Sequence, residues 1–499
     1  MNLSCILRRG ARVLPDHGAV VFGDRRLTYR DLETAVTTAA SRMTELGIGP
    51  GDRVALYCEN RPEWIMVYYG IIRAGGVVVC VSAAYRGTEL TRLIEDSEPG
   101  CVVASELLSG RLSETETGIP GDRILVIERD PVLRRLCRGG PALPPRTSPG
   151  VDRDADDPCV ILYTGGTTGV PKGAMLTHKN LLYTAQNVCY HERTTHQDRG
   201  LCFLPLNHVF AGNHIVNATF HALGTVVLHE GFDMDEILSS IRENGVTRLY
   251  AVPTVFIRIL NNPDSRRHLQ SVGYLFSAGT SMPSEVVRQC KAAFGLDIHE
   301  AYGMTESSSL VTFNHMYRHK IGSVGTPAGI VEVRIAGAPG KEAAPGDEGE
   351  ILIRGPNVMK GYHNRPGETA RALEGGWLHS GDVGRFDEDG HLHIVDRIKD
   401  LVITGGLNVY PAEVEEALYR HGSVEECAVT GLPHPEYGEA VTAFVRLKRG
   451  CKTREDELIR FCKERMASYK APKRVLFVED FPRTPQGKLL KRELRKVPV

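Results

Sequence analysis

From residue 53 onward, short apolar runs alternate with segments in which apolar residues recur every three to four positions. The runs at 54–57, 77–81 and 102–104 predict strands, and the segments 64–72 and 90–94 between them predict helices. Such alternation predicts a parallel sheet covered by helices. It breaks over 129–158, where Pro131, Pro141, Pro144, Pro145, Pro149 and Pro158 stand among many charges, so this stretch is expected to be a surface connection joining two similar halves. Strands are expected again at 159–163, 225–228, 248–252 and 274–276, with helices between them. After about residue 325 the runs 350–353 and 392–395 lack intervening helices and predict a small antiparallel region. Beyond Asp396 a fresh α+β unit is expected, with a strand at 401–403, a helix from Pro411, strands near Ala428 and at 441–445, and a helix from Arg454. The fold class is therefore α/β: a large N-terminal body of two αβ halves plus a small β region, followed by a smaller α+β unit.

The chain's 499 residues, 42% hydrophobic and 24% charged, suit a folded multidomain protein and exclude a disordered one. Sixty Lys and Arg against 61 Asp and Glu leave no overall attraction to nucleic acid or anionic membrane. Twelve cysteines lie scattered without a Cys-x-x-Cys pair, which argues against zinc ribbons, iron–sulfur sites and redox pairs and for reduced thiols. Arg8 and Arg9 follow the first apolar stretch, the wrong order for a secretory signal. Leu3-Ser4-Cys5 lacks the hydrophobic stretch of a lipoprotein signal, and no apolar run reaches the ~18 residues of a membrane span. A cytoplasmic protein is expected.

Five segments carry candidate chemistry. Tyr163-Thr164-Gly165-Gly166-Thr167-Thr168-Gly169-Val170-Pro171-Lys172-Gly173 follows a buried strand. Its four glycines let backbone N–H groups converge, its threonines add hydroxyls and Lys172 adds a cation, which is the chemistry of a phosphate cradle. It is not a Walker loop, because Pro171 precedes Lys172. Ala301-Tyr302-Gly303-Met304-Thr305-Glu306 offers an aromatic for a base, a hydroxyl for a phosphate and a carboxylate for Mg²⁺; a zinc-protease reading of His299-Glu300 fails because Gly303 stands where the second histidine belongs. In the segment 376–382, Asp382 after Gly381 suits ribose hydroxyls, with an Asx-turn as the alternative. Asp396-Arg397-Ile398-Lys399-Asp400 reads as a solvated link or a hinge. Near Lys488, nine Lys or Arg against three acids from Ser468 onward form either a solvated helix face or a surface that approaches phosphates.

In this order and spacing the five segments resemble the adenylate-forming superfamily, in its acyl-CoA synthetase (AMP-dependent acid–CoA ligase) branch, over nearly the whole chain from Leu27-Thr28-Tyr29 to Gly487-Lys488. The resemblance implies two half-reactions: a carboxylate attacks the α-phosphate of MgATP to give acyl-AMP and pyrophosphate, and a thiol then displaces AMP. It implies a division into an ATP- and acid-binding domain (1–396), a hinge (397–400) and a mobile lid (401–499). By the same resemblance, Thr164, Gly165, Gly166, Thr167, Thr168, Gly169 and Lys172 hold the β- and γ-phosphates, and Thr305 and Glu306 hold the α-phosphate and Mg²⁺. Tyr302, Gly303, Gly279 and Thr280 lie about adenine, and Asp382 and Arg397 bind ribose. Lys488 bridges the carboxylate and the α-phosphate, Lys399 is the hinge, and Gly405-Gly406 lines the tunnel for CoA.

Asn207, His208, Phe210, Glu300 and Ala301 match positions around the acid, with His208 also readable as a structural histidine. An α-amino acid substrate is disfavoured, because Asn207-His208 replaces the aspartate that pairs with an α-ammonium in relatives that activate amino acids. The expectation is an acid–CoA ligase for an aryl, arylacrylic or medium-chain acid, of a kind suited to secondary metabolism. Alternatives are a carrier-protein thiol or an amine as acceptor, ATP-dependent activation of nitrite to diazotise an arylamine, a luciferase-like oxidation, and a non-catalytic nucleotide or acyl sensor. The sensor has no physical need of Lys488. Oligomeric state is not legible.

Overall fold

The structure is a computed structural model that describes residues 1–115, 118–138, 150–164, 171–337, 342–484 and 489–496. Among the described residues the strands form four sheets. The first has seven strands in the order Gly361–Tyr362, Lys172–Thr177, Pro158–Thr164, Val77–Val81, Arg53–Tyr57, Cys101–Ala104 and Ile124–Val126. Its five strands from Pro158–Thr164 to Ile124–Val126 are parallel, as the alternation predicts. Val77–Val81 is buried at every position, which is why it reads as an unbroken apolar run.

The second sheet has nine strands. A parallel set, Ile298–Tyr302, Tyr274–Ser277, Arg248–Ala251, Arg199–Cys202 and Thr225–Leu228, continues into Gly18–Phe22, which pairs parallel to Thr225–Leu228. One expectation needs correction here. The proline-rich stretch 129–158 does not join the two halves, because Pro158–Thr164 returns to the first sheet beside Val77–Val81. The crossing to the second sheet falls instead at the helix His178–Glu192, whose N-terminus Thr177 and Asn180 cap reciprocally. Residues 139–149 lie outside the described residues.

Antiparallel strands Glu332–Ile335, Gly349–Arg354, Leu378–Phe386 and Leu392–Arg397 make the third sheet, the small β region foreseen from composition. The largest core gathers residues from Leu3 to Leu392, and a second one gathers Ala55, Val79, Leu90, Val102 and Ile161 at the first sheet. A separate core gathers Val402, Val414, Leu418, Val429, Val445 and Leu458 between the fourth sheet and the helices Pro411–Tyr419 and Glu455–Lys463. The short turn Ile398–Asp400 lies between the largest core and this one. No helix among the described residues is long and apolar enough to cross a membrane.

Candidate active site

Of the predicted residues, Thr164, Asn207, His208, Gly279, Thr280 and Tyr302 lie at or just beyond the ends of parallel strands in the two large sheets, the position at which open α/β sheets bind ligands. Pro158–Thr164 ends at Thr164, and its antiparallel neighbour begins at Lys172, so the two ends of the glycine-rich loop are register partners. Gly165, Gly166, Thr167, Thr168 and Gly169 lie outside the described residues, as does Lys488. Lys172 pairs with Glu368 and lies 5.2 Å over the ring of Tyr362. The Tyr362 hydroxyl in turn donates to Glu306 Oε1 at 2.9 Å. Tyr362 thereby couples the cation of one motif to the carboxylate of another. Nothing local marks this residue in the sequence.

Tyr302 ends the strand Ile298–Tyr302, and Thr305 and Glu306 follow in a tight turn. A glycine is required at 303, because a Cβ there would lie 1.8 Å from the Ser309 carbonyl oxygen where the chain folds back. The Tyr302 hydroxyl donates to Asp382 Oδ2 at 2.7 Å, and Arg397 Nε lies 2.9 Å from Asp382 Oδ1. Asp382 and Arg397 are register partners on neighbouring strands, so sheet pairing itself brings them together. Burial, and after it the Asp382 charge, pushes the Tyr302 phenol well above its ordinary range, which keeps it a donor. Each Asp382 oxygen retains capacity for a further donor such as a ribose hydroxyl.

Gly279 (φ 91°) and the exposed Thr280 form the turn after Tyr274–Ser277. Ser277 and Glu300 face each other on adjacent strands, both buried, and Ser277 Oγ and Glu300 Oε2 lack hydrogen-bond partners. Two such atoms at adjacent strand ends are an unmet demand for ligand groups. Burial, with Glu416 of the C-terminal unit adding to it, pushes the Glu300 carboxyl up to about 8.

His208 Nδ1 accepts from the Phe210 N–H at 3.2 Å, which leaves the proton on Nε2. Asn207 and His208 are half-buried, whereas Phe210 and Ala301 are buried. Phe210 opens a π-helical segment, Phe210–Asn217, a local widening that often accompanies functional sites. Asn213 of that segment donates to the Ser308 carbonyl at 2.9 Å, tying it to the chain just after Glu306.

Lys399 lies in the turn Ile398–Asp400, where burial and then Arg397 push its ammonium down. Gly405 (φ 58°) and Gly406 (φ 79°) form the turn between Val402–Thr404 and Leu407–Val409; two successive positive φ values favour glycine there. This turn is exposed, so the structure does not bring it to the other site residues. The C-terminal unit instead meets the large body through Glu416, whose Oε2 accepts from the Ser284 N–H at 3.2 Å, and through Asn261 and Glu425 at 3.3 Å.

Magnesium fits the site. Glu306 is a half-buried carboxylate oriented by Tyr362, and Mg²⁺ usually takes one or two protein carboxylates together with substrate phosphates. A second acidic cluster, Asp387, Asp389 and His391, is already closed by Lys320, whose Nζ lies 2.6 and 2.8 Å from the two carboxylates.

The family model for the AMP-binding enzyme matches residues 7–363, and that for the AMP-binding enzyme C-terminal domain matches residues 413–488. The chain is 38% identical to a feruloyl-CoA synthase of an Amycolatopsis species over 491 residues, covering 98% of this chain and 97% of the relative. It is 34% identical to a long-chain-fatty-acid–CoA ligase of Bacillus subtilis over 526 residues, covering 99% and 94%. The crystal structure of ATP-bound MatB from Rhodopseudomonas palustris superposes with a TM-score of 0.90 at 33% identity, covering 99% of both chains.

Proposed function

Since the chain belongs to the AMP-binding enzyme family and is an AMP-forming acid–CoA ligase, we propose that it adenylates an aryl, arylacrylic or medium-chain fatty acid and passes the acyl group to CoA. The observation that carries this reading is the linkage of Lys172 to Glu306 through Tyr362 and of Tyr302 to Arg397 through Asp382, with Tyr302 and Glu306 on one short segment.

In the proposed mechanism Lys172 leaves Glu368 for the outer phosphates of ATP when the glycine-rich loop takes them. Thr305 donates its hydroxyl to the α-phosphate, and Glu306, held by Tyr362, takes Mg²⁺. The ion supplies charge neutralisation of the pyrophosphate leaving group. Tyr302 and the Gly279-Thr280 turn enclose adenine, while Asp382 accepts from the ribose hydroxyls with Arg397 beside it. His208 faces the acid, its ring oriented by the Phe210 N–H on Nδ1. Lys488 stabilises the charge that builds between that carboxylate and the α-phosphate. The acid oxygen bonds to phosphorus, pyrophosphate departs, and AMP becomes the leaving group that the carboxylate lacked.

For the second half-reaction the 397–400 turn rotates the 401–499 lid about Lys399. Gly405-Gly406 then replaces Lys488 at the cleft and admits the CoA thiol. The test is ATP-dependent pyrophosphate release over aryl, arylacrylic and C2 to C16 acids, with and without CoA. Release with a carboxylic acid and thioester on adding CoA are expected; release only with nitrite and an arylamine would overturn the choice of acid.

A further inference from the structure

One buried polar chain has no part in the mechanism above. Glu192 ends the helix His178–Glu192, so its charge meets the negative end of the helix dipole, and its side chain is fully buried. A carboxylate in that place is costly unless closely partnered. Its Oε1 lies 2.9 Å from His214 Nε2, its Oε2 accepts from the Tyr250 hydroxyl at 2.6 Å, and Arg248 approaches Oε2 at 3.6 Å. A carboxylate only accepts, so His214 Nε2 carries a proton, and in the neutral imidazole Nδ1 is then the acceptor. Ser309 Oγ lies 3.3 Å from that Nδ1. The serine hydroxyl therefore donates to the ring, and its oxygen is left as an oriented acceptor.

Ser309 is the open end of this relay: it is half-buried, whereas His214 is 1% exposed. Ser308 (φ 56°) and Ser309 (φ 100°) both hold left-handed backbone that is unfavourable for serine. The strain is held by Asn213 on the Ser308 carbonyl and by the Ser309 N–H on the Met304 carbonyl at 3.1 Å. The His214 ring lies 5.5 Å from that of Phe210, so relay and acid-facing aromatic belong to one wall.

We propose that Ser309, oriented by His214 and Glu192, accepts a hydrogen bond from a hydroxyl or amino group on the part of the acid remote from its carboxylate. The pocket thereby selects donor-bearing acids over their unsubstituted analogues. This rests on the reading that Phe210 and Ala301 wall the acid pocket. Ser309 touches the substrate, whereas His214 and Glu192 are positioning residues.

The experiment compares kcat and KM for pyrophosphate release by the full chain with 4-hydroxycinnamate, 4-methoxycinnamate and cinnamate, and with 4-aminobenzoate and benzoate, alongside calorimetric binding of each acid. Donor-bearing acids are expected to be favoured by about 10- to 100-fold, mostly in KM. Ser309→Gly, which the backbone accommodates, should bring the ratio of donor-bearing to unsubstituted acids near one. Glu192→Gln is the sharper variant. With its amide oxygen kept on Tyr250, its NH₂ faces His214 Nε2, the ring proton moves to Nδ1, and Ser309 becomes an outward donor. Preference should then shift from the hydroxylated to the methoxylated acid, which a merely structural residue would not produce. An unchanged ratio in Ser309→Gly, or a proportional loss for all acids in Glu192→Gln, overturns the proposal. Absence of pyrophosphate release with every acid would instead refute the adenylation reading, and the calorimetric ratios would still decide the role of Ser309.

Discussion

Replacing Tyr302 by Phe removes one oxygen and keeps the ring. That oxygen donates to Asp382 at 2.7 Å in a place where Tyr302 is 8% and Asp382 4% exposed, so no bulk water replaces it. A hydrogen bond to a charged acceptor is worth about 1.5–3 kcal/mol, and Arg397 at 2.9 Å on the other oxygen prevents collapse of the carboxylate's position. A stability loss of about 2 kcal/mol follows, seen as a fall of roughly 3 °C in the melting temperature of a body this large. ATP should reverse part of it, because a ribose hydroxyl can donate to the vacated Asp382 oxygen. The ATP-induced rise in melting temperature is therefore expected to be larger in the variant than in the parent, and KM for ATP should change little. Differential scanning calorimetry with and without MgATP, together with pyrophosphate-release kinetics, reads both quantities. An unchanged melting temperature with a KM for ATP raised about 100-fold would refute the reasoning, because the hydroxyl would then bind nucleotide directly and not through Asp382.

Lys488→Ala should lower acyl-AMP formation about 10²- to 10³-fold and leave thioester formation from supplied acyl-AMP largely intact, a split that single-turnover assays of the two half-reactions resolve. Lys399→Pro should arrest rotation about the 397–400 turn, so thioester formation falls while pyrophosphate release in the absence of CoA persists; equal rates would sink the hinge role. Glu300→Gln probes pH dependence. The folded carboxyl is raised from an ordinary value near 4.5 to about 8, so the stability it contributes is complete below 4.5 and is lost as pH rises toward 8. The variant's urea midpoint should accordingly decline less between pH 5 and 8.5 than the parent's.

The elements most legible in the sequence are those whose burial is the same on both faces or whose turn chemistry is local. Val77–Val81 reads directly as a buried strand, and the helix from Pro411 starts at its proline. The motif residues were legible because each cluster is contiguous. What escaped is what long-range pairing decides. Tyr362 lies 56 positions from Glu306 and carries no motif of its own. The relay from Glu192 through His214 to Ser309 spans three separate segments, each of which alone reads as ordinary core or loop. The proline-rich stretch reads as a join between halves because composition marks a surface connection without saying which strands it connects.

The pairing of Gly18–Phe22 with Thr225–Leu228 has a consequence during synthesis. Val20 and Val226 are register partners, so the strand leaves the ribosome about 200 residues ahead of its neighbour, a wait of roughly 10–40 s at ordinary elongation rates. Through that interval the six strands of the first sheet between residues 53 and 177 can pair, while Gly18–Phe22 has only its hairpin neighbour Arg25–Thr28 and its other edge stays open. That open edge is available to other nascent chains until Thr225–Leu228 emerges, so the order of translation creates an exposure that the finished fold conceals.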